Sequence, residues 1–247
     1  MQSTAAVIII GNEILSGRTQ DANLSFLGRR LDNLGIRLLE ACIIPDEQET
    51  IITTVRAYKE RFTYVFTTGG IGPTHDDITT ASIALAFNVS IEKNPEAVAC
   101  LEEYYGSESF SEARMKMAYI PAGATLIKNP VSGAPGFQID NVFVLPGIPQ
   151  ILQAMFDGMT DRLTGGPPIL SRDISTNLRE SVLAEGLGIL QKNFSSVSIG
   201  SYPYFKKGKF GVNLVMRSTN ESDLGNVYEK VKQLIIETGG RILDSSD

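Results

Sequence analysis

Apolar runs alternate with helix-like apolar spacings along the first two thirds of the chain. The continuous apolar run Ala5–Ile10 is typical of a parallel strand that is buried on both faces. The leucine spacing of three and four over Leu24–Leu34 predicts a helix that ends at Gly35. The same two patterns predict strands at Ile36–Ile44, Tyr64–Thr68, Ala124–Ile127, Gly136–Ile139 and Val142–Leu145. They also predict helices around 51–58, 78–87, 94–119 and 150–163, of which the segment 94–119 is interrupted at Gly106–Ser109. Residues 1–165 are therefore expected to form an α/β domain with a mostly parallel sheet, whose parallel strands are joined by right-handed crossovers.

A second, smaller module follows the segment Thr164–Pro168, whose glycines and prolines mark a linker. The elements predicted beyond it are a strand, a helix, two strands, a helix and a strand, at Ile169–Thr176, Glu180–Gln191, Val197–Tyr202, Phe210–Arg217, Ser222–Thr238 and Arg241–Leu243. This order is typical of a ferredoxin-like α+β fold, which we expect over residues 169–247.

Composition excludes several classes of protein. The longest apolar run is far shorter than the roughly 18 residues of a membrane helix and follows no basic leader, so we expect a cytoplasmic protein with no membrane contact. The 247 residues carry 22 Lys and Arg against 28 Asp and Glu, a net charge of −6 that does not favour a nucleic-acid partner. The basic stretch Lys206–Lys209 is accordingly interpreted as a solvated hairpin tip rather than a nucleic-acid patch.

Cysteine and histidine usage limits the metal sites that the chain can form. Cys42 and Cys100 are far apart and in no metal-binding spacing, so we expect two unpaired thiols. With His75 as the single histidine, any metal ion must be held by carboxylates, waters and substrate phosphates.

Three loops at predicted strand ends have compositions suited to ligand binding, since ligands of open α/β sheets bind at the carboxyl ends of strands. In the first loop the candidates are Gly11, Glu13, Gly17 and Asn23. A turn followed by an N-cap at Asn23 is the structural alternative.

The second loop, Thr68–Thr79, has three glycines within four residues, a pattern suited to a cradle of backbone N–H groups for an anion. Because the pair Asp76-Asp77 would repel a phosphate, we expect a divalent cation between them. The alternative is that one aspartate caps the next helix and the other is solvated. His75 is expected to be an ordinary loop residue rather than a base. The ligand-binding candidates here are Thr68, Gly69, Gly70, Gly72, Pro73, Thr74 and Thr79.

The third loop and two further segments complete the candidate residues at the carboxyl ends of the predicted strands. Its candidates are Asn129, Gly133, Ala134, Pro135 and Gly136, joined by Pro146 and Gly147 after the following strand. Asp46, after the second strand, is a further acid there, with N-capping of the next helix as its alternative role.

These segments resemble a known family. Thr68–Thr79 resembles the hallmark loop of the molybdopterin-binding (molybdenum cofactor biosynthesis) domains, and Gly11–Asn23 is similar to the opening of members of the CinA type and of FAD synthases. Asn129–Gly136 and Leu145–Pro149 follow in the order of the later family motifs. The resemblance implies a three-layer α/β domain with a strand-end pocket for molybdopterin or an adenine dinucleotide.

The resemblance also implies roles for the acids. Asp46 and Asp77 match the family's acidic positions, so Asp46, Asp76 and Asp77 are the predicted catalytic residues, with Asp76 and Asp77 on a divalent metal (Mg, Mn or Co) and Asp46 as metal ligand or general base. The implied activity is metal-dependent cleavage of a pyrophosphate such as that of ADP-ribose or FAD.

Two alternatives to that activity stay open at this point. One is a molybdopterin-binding protein that does not hydrolyse its ligand, and the other is an oligomeric regulator with a vestigial site. Relatives usually have an acid where this chain has Ile151, and CinA proteins commonly have Gly-Thr where it has Ser132-Gly133. We expect a homo-oligomer in which the second module contributes an assembly surface.

Overall fold

The computed structural model describes residues 3–106, 111–206 and 208–243, and the chain divides into two compact units, Met1–Gly166 and Pro167–Asp247. The strands of the first unit are β1 (Thr4–Ile10), β2 (Arg37–Ile44), β3 (Tyr64–Thr68), β4 (Ile91–Lys93), β5 (Tyr119–Pro121), β6 (Thr125–Ile127), β7 (Gly136–Ile139) and β8 (Val142–Leu145). Its helices are α1 (Asn12–Leu15), α2 (Asn23–Asn33), α3 (Gln48–Arg61), α4 (Thr79–Phe87), α5 (Pro95–Tyr105), α6 (Glu112–Met115) and α7 (Pro149–Asp157).

The main sheet has the strand order β2-β1-β3-β8-β7-β6. Neighbouring strands pair in parallel from β2 to β8, whereas β7 pairs antiparallel with both β8 and β6, which confirms the expected mostly parallel sheet. Only Asp140 and Asn141 lie between β7 and β8, and a parallel crossover needs a dozen residues or more. Asp140 takes a left-handed φ of 53°, which closes this tight turn.

Helices cover both faces of this sheet, which confirms the three-layer α/β fold. On one face, Ile51 of α3, Ile83 of α4 and Leu101 of α5 are fully buried against the strands. On the other face, Leu27 of α2 and Phe156 of α7 are equally buried. Because β1, β3 and β8 lie between two apolar layers, almost every residue of these strands is apolar.

Two predicted helical segments of this unit end earlier than expected. The segment 94–119 contains α5 and α6, which flank the predicted interruption, where residues 107–110 lie outside the described part. Its end forms β5, which pairs with β4, instead of helix. The segment 150–163 is helical only to Asp157, and a 3-10 turn follows at Thr160–Arg162. Gly158 stands at the point where α7 stops.

The second unit contains β9 (Leu170–Thr176), α8 (Glu180–Asn193), β10 (Ser198–Lys206), β11 (Lys209–Ser218), α9 (Glu221–Glu237) and β12 (Ile242–Leu243). Its antiparallel sheet has the order β10-β11-β9-β12, so the two central strands are the first and third of the module. This arrangement confirms the ferredoxin-like α+β module. Lys206 pairs with Lys209 across a hairpin, as predicted, although Lys207 lies outside the described residues.

Two further expectations concern the membrane and the cysteines. None of the helices described is long and apolar enough to cross a bilayer. Cys42 and Cys100 are unpaired, as predicted, and each is half-buried.

Candidate functional site

A small open cleft with a volume of about 60 Å³ lies at the carboxyl ends of β1 and β3, beside the turn between β8 and α7. Glu13, Asn23, Thr68 and Gly147 all line it. They come from three separate segments of the chain and all belong to the predicted site. Asp21, a further carboxylate of the first predicted loop, also lines the cleft.

Asn23 contributes a buried amide to this cleft. Asn23 is the first residue of α2 rather than its N-cap, so the alternative that Asn23 serves only to cap this helix is wrong. The carboxylate of Asp21 accepts the hydrogen bond from the Leu24 N–H, at 2.9 Å. Asn23 is only 3% exposed, and its Nδ2 donates to the Gly147 carbonyl at 2.8 Å. This bond fixes Oδ1 as the other end of the amide, and Oδ1 has no hydrogen-bond partner in the described structure.

The glycine loop after β3 packs closely against its surroundings. Gly69 has a φ of 101°, and a Cβ there would collide with the Ile10 carbonyl, so only glycine fits. Gly70 has a φ of 67°, and a Cβ there would collide with the Thr79 hydroxyl. The Thr79 N–H donates to the Gly70 carbonyl at 3.0 Å, while the fully buried Thr79 Oγ1 has no recorded partner. The loop therefore carries a second unpaired polar atom at the start of α4.

Two acids flank this loop. Asp46 Oδ1 lies 3.5 Å from the position that a Gly70 Cβ would occupy, and Asp77 Oδ2 lies 2.7 Å from that of Gly72. Asp46 Oδ2 accepts from the Asn12 N–H at 2.8 Å. No side chain caps α3 or α4, so the capping alternatives for Asp46 and for the aspartate pair are wrong.

The residues between Gly72 and α4 form a closed turn, which we call the acid turn (residues 74–77). The Thr74 hydroxyl lies 2.5 Å from the carboxylates of both Asp76 and Asp77, and the Thr74 N–H donates to Asp77 at 2.8 Å. The hydrogen bond from Thr74 is the main cause that lowers the pKa of Asp76. His75 is 99% exposed on the same turn, 4.0 Å from Asp76, which agrees with an ordinary loop residue.

The acids of the site do not form a complete metal site by themselves. Within the described ranges, no three His, Cys, Asp or Glu side chains come together as a metal site. Carboxylate oxygens are nevertheless the donors that Mg²⁺ takes in ones and twos, with waters and substrate phosphates completing the shell. The neighbouring carboxylates of Asp76 and Asp77 form a donor pair of that kind, and Asp46 lies separately beside Gly70.

The third predicted loop lies outside the lining of the cleft. Asn129 uses its amide within its own loop: Nδ2 donates to Ser132 and to the Ala134 carbonyl, and Oδ1 accepts two backbone N–H groups. A Cβ at Gly133 would touch the ring of Tyr104, and one at Gly136 would collide with the carbonyl of Val144. These contacts give the loop a structural role that its composition does not reveal.

The remaining candidates vary in how close they come to the cleft. Pro135 is buried, Ala134 and Pro146 are half-buried, and Pro73 is exposed on the glycine loop. Gly17 has a φ of 71° in open surroundings. None of these five residues is among the cleft's lining.

One residue near the acids gives no signal in the sequence. Lys116 lies in a stretch that was predicted as polar helix, yet its Nζ donates to the carbonyls of Thr74 and Asp77, at 2.5 and 2.9 Å. The contact joins positions about forty residues apart, so no local pattern could have predicted it.

Comparisons with known proteins agree with this architecture. Residues 6–165 match the family described as "probable molybdopterin binding domain", and residues 168–239 match the one described as "FAD synthase, middle domain". A protein of Caldivirga maquilingensis is 32% identical over 244 residues, covering 94% of this chain and 95% of that protein. A probable FAD synthase of Caenorhabditis elegans is 30% identical over 95% of this chain, which spans 50% of that protein. The crystal structure of the protein CinA from Thermoplasma acidophilum aligns with a TM-score of 0.62 and 32% identity, over 66% of this chain and 99% of that one.

Proposed function

The chain belongs to the family of probable molybdopterin binding domains, and we propose that its strand-end site cleaves the pyrophosphate bond of an adenine dinucleotide-like substrate, such as ADP-ribose or FAD, with the help of a divalent metal. The observation that carries the proposal is that two acidic side chains lie against the glycine loop after β3. Asp46 lies beside Gly70 and Asp77 beside Gly72, at the edge where the cleft opens. A phosphate cradle and metal-binding carboxylates are the two parts that such a reaction needs.

The cleft supplies the ring-binding part of the proposed site. It is lined by apolar groups such as Ile14 and Pro149 together with the polar side chains of Asn23 and Thr68. An unpaired buried oxygen costs roughly 1–3 kcal/mol, so Asn23 Oδ1 favours a ligand that donates an N–H to it. Both the adenine amine and the pterin amine are such donors.

The glycine loop and the acids supply the reacting part. A divalent cation bound there would neutralise and polarise the diphosphate. The loop's backbone N–H groups would hold the phosphate oxygens, and Asp46 would accept the proton of the attacking water. Hydrolysis adds one water across the P–O–P bridge: the water oxygen ends on one phosphorus, the bridging oxygen leaves on the other, and two monophosphates result.

The test is an assay of product release from the full chain. ADP-ribose, FAD and NAD are offered separately with Mg²⁺, Mn²⁺ or Co²⁺, and AMP is measured by chromatography. Asp77→Asn is the test variant, and Asp161→Asn, an exposed acid on the 3-10 turn after α7, is the matched control. We expect metal-dependent AMP release that Asp77→Asn abolishes and Asp161→Asn leaves unchanged.

The other outcomes decide between the remaining functions. Full turnover or full binding in Asp77→Asn would refute the proposal. Retained binding of a pterin or dinucleotide without release would indicate a carrier in molybdenum cofactor assembly. Absence of any binding would indicate an oligomeric regulator with a vestigial site. Ile151 of α7 is the observation that favours this candidate, because it packs against the apolar core at a position where the family resemblance implies an acid.

We also propose that the protein acts in the cytoplasm as a homo-oligomer, with small-molecule ligands rather than nucleic acid as partners. The net charge of −6 supports the last point, since phosphate backbones attract clustered basic residues. Sedimentation velocity at two protein concentrations tests the oligomer: a single species at the monomer mass of 26.8 kDa would refute it.

A further inference from the structure

Lys116 contacts the acid turn but has no role in the proposed mechanism. It begins the 3-10 turn Lys116–Ala118, directly after α6. Met115 and Met117 on either side of it pack against the core between the sheet and α3–α5. These partly buried side chains anchor the backbone on both sides, while the exposed lysine side chain lies outside the core and reaches the acid turn.

Its ammonium joins the two ends of that turn. Nζ donates to the carbonyls of both Thr74 and Asp77. The same two residues are already linked by the Asp77 N–H, which donates to the Thr74 carbonyl at 3.3 Å. Since the turn is exposed from Pro73 to Asp76, water competes for every bond within it. A charge-assisted tie from an anchored side chain resists that competition better than a neutral bond.

The Lys116 ammonium has two further effects, one on the charges of the acid turn and one on the polarity of its peptide groups. The charge of the ammonium acts on Asp76 and so offsets part of the repulsion between the two neighbouring carboxylates, which would otherwise spread the turn. An ammonium that binds a carbonyl polarises the peptide group it belongs to, and thereby strengthens the donor at the next N–H. The N–H groups that follow are those of His75 and Ile78, on the side of the loop that leads into α4.

We infer that Lys116 is a positioning residue, which holds Asp76 and Asp77 in the arrangement that binds a divalent cation. The divalent cation in this inference rests on the proposed function, but the effect of Lys116 on the acid turn can be measured without any metal. Lys116 acts through the turn, so its loss should weaken cation binding while the fold of the unit is kept.

The test compares Lys116→Met, which keeps the stem and removes the donors, with Lys116→Arg, which keeps the charge and donors. Lys93→Met, an exposed lysine on β4, is the control. Amide hydrogen exchange, followed by NMR on the metal-free full chain, reports the Thr74, Asp77 and Thr79 N–H groups. Calorimetric titration with Mn²⁺ alone reports cation affinity.

For Lys116→Met we expect at least about tenfold faster exchange at these amides and about tenfold weaker Mn²⁺ binding. Lys116→Arg should restore most of both, and Lys93→Met should change neither. Unchanged exchange in Lys116→Met, or an arginine no better than methionine, would overturn the inference. Absence of Mn²⁺ binding in the wild type would refute the metal in the proposed function, while exchange alone would still show whether Lys116 holds the turn.

Discussion

Replacement of Asn23 by leucine should stabilise the protein and at the same time weaken ligand binding. Asn23 is 3% exposed and leaves Oδ1 unpaired, and leucine has a similar size with no polar atom. Removing a buried unpaired oxygen gains about 2 kcal/mol, whereas loss of the bond to the Gly147 carbonyl costs about 1 kcal/mol. Because Gly147 is exposed, water can take over that carbonyl. The balance favours leucine by about 1 kcal/mol.

Differential scanning calorimetry of the full chain measures this effect. For a unit of this size, 1 kcal/mol corresponds to an increase in Tm of about 2–4 °C. Titration with AMP in the presence of Mg²⁺ measures the second effect, which we expect to be at least a tenfold loss of affinity. A variant that is destabilised by more than about 2 kcal/mol and binds AMP normally would show that Asn23 is a structural residue only.

Three further predictions concern the glycine loop, α4 and β2. Gly69→Ala should destabilise the chain by about 3 kcal/mol because its Cβ would strike the backbone of β1, whereas Gly17→Ala, left-handed but in open space, should cost about 1 kcal/mol; urea unfolding compares them. Arg56→Met removes hydrogen bonds to the last carbonyls of α4 and should cost about 1–2 kcal/mol, measured as a shift of the urea midpoint. Hydrogen bonds, chiefly from Tyr58, lower the pKa of Glu40, so its contribution to stability is present above about pH 4.5 and lost at lower pH; wild type should therefore exceed Glu40→Gln in thermal stability at pH 7, and the two should converge on acidification. A difference in Tm that stays constant down to pH 3 would contradict this last prediction.

The strands were predicted well because they carry the strongest local signal. Tyr64–Thr68, Gly136–Ile139 and Val142–Leu145 agree with the structure to the residue. The signal is clearest in Val142–Leu145, because a strand buried between two helix layers needs an unbroken apolar run. The antiparallel direction of β7 could have been predicted from its two-residue connection to β8. The pairing of β4 with β5 could not, because it depends on a contact between segments that are far apart in the chain.

In the candidate site, too, local features could be predicted from the sequence, whereas contacts between distant segments could not. The glycine loop and the acids at its ends are recognisable because turn residues and charges at a strand end are local features. That Asn129 is occupied by its own loop, and that Lys116 reaches the acid turn, follows from packing between separate segments. The unpaired oxygen of Asn23 is equally invisible in the sequence, since it depends on which carbonyl takes the other end of the amide.

The account's central claim is that the strand-end cleft and the glycine loop bind a nucleotide together. The most direct measurement is the change in backbone amide chemical shifts on addition of AMP with Mg²⁺ to the full chain. We predict shifts concentrated at residues 11–23 and 69–79, reduced in Asp77→Asn. Shifts confined to the second unit, or no saturable shift at millimolar AMP, would contradict the claim.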